Sequence, residues 1–143
     1  MRVRHVAALA AVLLAAIGAD APAPPAAMFT APQAHDGVAL YAQYCSKCHA
    51  AGLTGGLGPD LFGRAFTASS LSMGALNQEV THEMPQDDPG SLTPPQYAAI
   101  IAYVLAANCY PAGSTVYPAA GPVPNRATKV ATQGGATAPC AAP

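Results

Sequence analysis

The segment YAQYCSKCHAAG, residues 41–52, sets two thiols and an imidazole almost side by side: Cys45, Cys48 and His49. Four chemistries use such a group: a disulfide, half of a zinc site, a redox dithiol, and covalent attachment of haem. A structural zinc site takes four protein ligands. The other two cysteines, Cys109 and Cys140, lie far apart, in or beside a loose C-terminal stretch. A thioredoxin-type dithiol requires a strand–helix context, whereas this neighbourhood reads as helical. A bridge between Cys45 and Cys48 would leave His49 without a role. C-x-x-C-H is the attachment signature of c-type haem. Two thiols at this spacing can each form a thioether to one vinyl group, and the next residue, His49, supplies the proximal nitrogen to iron. The motif is short enough to arise by chance, so the rest of the chain must decide.

A sixth ligand should come from a later loop. Met84 is the favoured residue, in EMPQ, between Glu83 and Pro85. A lone methionine usually fills core space, but a polar, proline-rich loop is a poor place for that. Met73, in SLSMGAL, falls in a helical stretch where core filling is the expected role. His82 is the second rival and would give a bis-histidine site. A thioether is soft and favours ferrous iron, so a His/Met pair raises the reduction potential.

The elements that must hold these residues are helical. Asp36 can cap a helix over about 36–46 whose apolar side is Val38, Leu40, Tyr41 and Tyr44, carrying Cys45 near its end. Residues 50–65 form a glycine-rich loop. A helix over 68–80 begins near Ser69 or Ser70, and 82–95 is a long loop with four prolines. Thr93 caps and Pro94 opens a helix to about 107, with Tyr97, Ile100, Ile101, Val104 and Leu105 facing inward. No strand pattern and no internal repeat emerges. Residues 109–143 are rich in Pro, Gly, Ala and Thr and carry no regular pattern.

The chain of 143 residues is one domain's worth, and much of its apolar content is alanine, with no Trp. With so thin a core, a small domain usually needs a staple, a metal or a cofactor. Arg2 and Arg4, the apolar run Val6–Ile17 and the small residues after it read as a secretory signal over 1–21, cut between 19 and 27. The run is shorter than the roughly 20 residues of a membrane span, so stable membrane insertion is not expected; the alternative is an uncleaved anchor. Residues 20–34 read as an extended Pro/Ala-rich leader. Export places the chain in the periplasm, where disulfides persist. From Asp36 on, four Lys/Arg side chains stand against six Asp/Glu, a net charge of −2. No basic patch exists, which excludes nucleic acid as partner.

In GVALYAQYCSKCHAAG, GGLGPDLFGRAF and MPQDDPGSLTPPQYAAIIAYVLAAN, in that order, the chain resembles small monohaem class I cytochromes c over about 35–113. It is similar to the bacterial periplasmic ones that serve quinoprotein and other dehydrogenases. The resemblance implies an all-α domain over 35–108, with three to four helices around one covalently bound haem c and a Pro/Gly-rich tail. It implies a first helix crossing the last at Gly37, with Tyr103 packed there and Tyr41 nearby. It also implies that the Pro59 carbonyl accepts the Nδ1–H of His49, that Leu61 touches the haem face, and that Gly58 lies close to the porphyrin. Arg64 either pairs with a haem propionate or is a plain surface arginine. The haem-edge lysines of mitochondrial relatives are missing, so docking gains little from electrostatic steering. Cys109 and Cys140 can bridge within the chain, stay as thiols, or pair with another subunit. Closing that loop would add about 3–4 kcal/mol in the chain-entropy view.

The expectation is an electron carrier, not an enzyme, because filling both axial positions leaves no site for substrate. Its donor would be a periplasmic dehydrogenase and its acceptor another cytochrome or a terminal oxidase. The alternatives are a fixed cytochrome subunit of a dehydrogenase complex, and a haem enzyme or gas sensor with a labile sixth ligand.

Overall fold

The computed structural model describes residues 25–141; the signal segment 1–21 lies outside the described residues. The described chain is all-α. It forms α1 (Ala31–Tyr44), α2 (Ser46–His49), α3 (Gly63–Ala68), α4 (Met73–His82), α5 (Pro94–Ala107) and one turn of 3-10 helix, Gln133–Gly135. Among the described residues there is no strand, only an isolated bridge between Ser72 and Lys129.

α1 begins five residues earlier than the Asp36 cap suggests. Thr30 is the N-cap, its hydroxyl accepting the Gln33 N–H at 3.3 Å. Pro32 sits in the first turn, where its missing N–H costs nothing. The end of the expected leader is therefore structural, and Met28 and Phe29 are buried in the core. The expected helix over 68–80 starts later, as α4, and the end of the expected 50–65 loop is already helical, as α3. Ser69 caps α3, Ser70 turns to φ +54°, and the Ser72 hydroxyl accepts the Ala75 N–H at 3.1 Å to open α4. This break, and the counting of α2, raise the helix number above three to four.

α5 forms where its sequence signals it. Thr93 is the N-cap, its N–H donating to Gln96 Oε1 at 2.8 Å, and Pro94 and Pro95 fill the first turn. At the other end Cys109 takes φ +64°, with Cys109 N–H on Ala106 O and Tyr110 N–H on Leu105 O, a closing pair of bonds that stops the helix. α5 is buried on almost every side. Burial of side chains such as Ile101 and Leu105 contributes about 1.5–3 kcal/mol each.

α1 and α5 are the main packed pair. A Cβ on Gly37 would collide with the Ala99 carbonyl oxygen and lie 2.7 Å from Tyr103 Cβ, so only glycine lets the helices approach this closely. Tyr103 packs beside Tyr41 at the crossing, ring centroids 5.1 Å apart. This is the crossing that the resemblance implies.

Residues 109–141 are a packed strap with little regular structure. Tyr110, Tyr117 and Val130 are buried. Gln33 and Tyr117 exchange two hydrogen bonds, 2.9 and 2.8 Å. Thr128 and Leu71 carbonyls accept Met73 and Val130 N–H groups, and Cys140 N–H reaches Ala107 O. Cys109 and Cys140 are joined in the structure, Cα atoms 5.3 Å apart.

Candidate haem site

Cys45, Cys48 and His49 lie on one helical turn. Cys45 is the C-cap of α1, its N–H on Tyr41 O at 2.9 Å, and its own carbonyl accepts the N–H groups of Cys48 and His49 at 3.1 and 2.9 Å. The short α2 that results fixes the spacing of the three side chains. Both cysteines are half-buried free thiols, not bonded to each other. Burial, and secondarily the neighbouring Cys48, push the Cys45 thiol up to about 11. A redox dithiol needs the opposite shift. Among the described residues no three His, Cys, Asp or Glu side chains converge as a metal site, so the zinc reading lacks its ligands.

His49 is held from several directions. Its ring is buried, and Nδ1 lies 2.8 Å from Pro59 O, the bond that the resemblance implies. A carbonyl only accepts, so Nδ1 carries the proton and Nε2 keeps its lone pair. Nε2 has no hydrogen-bond partner among the described residues, and no fully buried side-chain nitrogen lacks one, so Nε2 opens onto accessible space. Gly58 lies against the ring: a Cβ there would come 2.6 Å from Cε1 and 3.1 Å from Nε2. The Gly58 N–H also returns to Cys48 O at 2.9 Å. Below the motif, the Tyr41 hydroxyl donates to Ala50 O at 2.8 Å. Its phenol is held well above the ordinary tyrosine range by burial, so it stays a donor.

The loop that carries Met84 is joined to this turn at the surface. Asp87, three residues past Met84, pairs with Lys47, two residues before His49, at 3.3 Å. An apolar cluster of Leu92, Tyr97 and Ile100, joined by Leu40, Tyr44 and Cys45, lies between α1, α5 and the 82–93 loop. Met84 is half-buried, and its carbonyl oxygen accepts the Tyr97 hydroxyl at 2.8 Å. Met73 is fully buried in the main core, which matches its expected packing role. His82 is exposed at the end of α4, its Nδ1 2.7 Å from the Thr81 hydroxyl.

Leu61 is half-buried against the main core, its carbonyl accepting Asn108 Nδ2 at 2.8 Å. Arg64 is exposed on α3 and makes no ion pair among the described residues. Two residues escape the sequence reading. Asn108 is fully buried and joins Leu61 to the Thr132 hydroxyl of the strap, 2.6 Å away. Tyr97 was expected only to pack, but its hydroxyl reaches the Met84 loop. The available signal was a phenol on a buried helix face, which must find a partner.

The donor set fits a covalently held haem: two unbridged thiols on one turn, an oriented imidazole with a free Nε2, and a glycine where any Cβ would crowd the ring. The family model described as "Cytochrome C oxidase, cbb3-type, subunit III" matches residues 32–104, about half of the chain. The chain belongs to this cytochrome c family. No curated protein matches it. Membership implies a c-type haem and electron transfer through it. In this cytochrome, Cys45, Cys48 and His49 are the residues that would hold that group. No helix among the described residues is long and apolar enough to cross a membrane.

Proposed function

We propose that this cytochrome is a periplasmic one-electron carrier of the class I type, with one haem attached through Cys45 and Cys48 and ligated by His49 and Met84. The haem, when bound, supplies an iron that cycles between ferric and ferrous. The chain's own part is to attach it, fix both axial directions and exclude water. The observation that carries the reading is the Pro59–His49 hydrogen bond, which leaves Nε2 as the ring's one available donor atom. Met84 supplies the other side from a loop tied to α5 by Tyr97. Arg64, unpaired on the surface, is available to a propionate. The basic and apolar start of the chain supports export, and export suits a Cys109–Cys140 disulfide. With His49 and Met84 both holding the iron, no position would remain for a substrate, and no catalysis would be expected. A periplasmic dehydrogenase is the donor, and a cytochrome or terminal oxidase the acceptor.

Spectroelectrochemical titration of the purified holoprotein tests this. The expected result is one reversible one-electron step and a ferrous form that does not bind carbon monoxide. Ready binding of carbon monoxide by the native ferrous form would instead support a haem enzyme or gas sensor.

The matched family's description as an oxidase subunit favours a second reading, in which the cytochrome is fixed in a larger complex. Size-exclusion chromatography of native extract separates the two. A free carrier elutes at the monomer mass, and a fixed subunit elutes with its partners.

A further inference from the structure

The His49 side of the site follows from the motif, but nothing in the motif accounts for how Met84 is held. We propose that Tyr97 is the positioning residue for Met84, its hydroxyl clamping the ligand-bearing loop onto α5. The proposal rests on the reading of Met84 as an iron ligand.

The Tyr97 hydroxyl donates to Met84 O at 2.8 Å and receives the Leu92 N–H at 3.4 Å. One group thus ties both ends of the segment 84–92. The Tyr97 ring is 4% exposed and packs with Leu92 and Ile100, so the clamp has a fixed base. Between the tied ends, Gln86 to Gly90 are all exposed. The other bonds in the segment are its own turns, Asp88 N–H on Pro85 O and Ser91 N–H on Asp88 O. The Lys47–Asp87 pair spans to α2, but both side chains are exposed, and such pairs contribute little. Tyr97 is therefore the one buried side chain that hydrogen-bonds Met84's own backbone among the described residues. A thioether binds iron weakly enough that the position of its Cα matters. Holding the adjacent carbonyl restricts that position directly, and the phenol lies on the most buried helix of the fold.

Loss of one neutral hydrogen bond should shift the loop's opening equilibrium by about threefold to tenfold. Imidazole added to ferric holoprotein competes with Met84 and reads that equilibrium, through the weak long-wavelength band of iron bonded to a thioether. In Tyr97→Phe, the apparent affinity for imidazole should rise about threefold to tenfold, with haem still covalently attached. Amide exchange in residues 86–92 should quicken while that of α1 stays unchanged. Tyr117→Phe is the control: it removes a strap hydroxyl that donates to Asn77 Oδ1 of α4 at 3.2 Å, and it should leave imidazole affinity as in the native protein. Equal imidazole affinity in native protein and Tyr97→Phe would overturn the assignment, as would an equal rise in Tyr117→Phe. Absence of the thioether band from the native protein would instead overturn the ligand reading, and this proposal with it.

Discussion

His49 and Met84, the two residues proposed as iron ligands, are held by different kinds of structure. His49 is fixed by its own neighbourhood in sequence: the α2 turn, Gly58 at its ring, Pro59 on Nδ1 and Tyr41 beneath the motif. All of these lie within about ten residues of it in the chain. Met84 sits in a proline-rich loop that is exposed from Gln86 to Gly90 and whose one buried hydrogen-bonding side-chain tether comes from another helix. Short-range, redundant contacts make the His49 side rigid. Reliance on one buried long-range hydroxyl makes the Met84 side the place where ligation can be lost without unfolding the domain. In energetic terms, several bonds of about 0.5–1.5 kcal/mol stand on one side, and on the other only the bonds of a single hydroxyl.

The largest effects should separate attachment from ligation. Replacing Cys45 and Cys48 together by Ser should abolish covalent haem, read as loss of haem staining on a denaturing gel. Met84→Ala should keep full staining but open the sixth position, so that the ferrous form binds carbon monoxide. Staining that survives in the double cysteine variant would break the comparison at its root.

Gly58→Ala probes the rigid side. Its methyl would crowd the His49 ring, and overpacking of this kind costs about 1–3 kcal/mol. Urea unfolding of the holoprotein should show that loss; a midpoint equal to the native one would mean that the ring is not confined as described. The smallest effect is expected for Tyr41→Phe. Removing the bond to Ala50 O should lower stability by about 0.5–1.5 kcal/mol. Imidazole affinity should not change, because Gly58 and Pro59 still hold the ring. A rise as large as that expected for Tyr97→Phe would erase the difference between the two sides.

The two sides also differ in how legible they were. The Cys45–Cys48–His49 turn and α5 carry their signals locally: a motif, a Thr93 cap and two prolines. The Gly37 crossing and the Pro59 bond came with the family resemblance and are present. Contacts between segments distant in sequence were hidden. Met28 and Phe29 sit in a stretch that composition marks as leader, yet the strap receives them: Gly113 N–H bonds Phe29 O, and Asn125 reaches Met28 Sδ. Tyr110, Tyr117 and Val130 are buried from a tail without periodicity, because most of its backbone bonds reach distant segments, Phe29, Leu71, the start of α4 and the end of α5. The Ser69–Ser72 break was missed for the same reason. Its end is set by Thr128 and Arg126 carbonyls accepting the first N–H groups of α4.

The central claim is that Met84 completes the ligation that His49 begins. The direct measurement is the absorbance of the ferric holoprotein, native and Met84→Ala. The account predicts a weak long-wavelength thioether-to-iron band in the native protein that disappears in the variant, with covalent haem retained in both. A native spectrum without that band, showing high-spin iron or an unchanged spectrum in Met84→Ala, would contradict it.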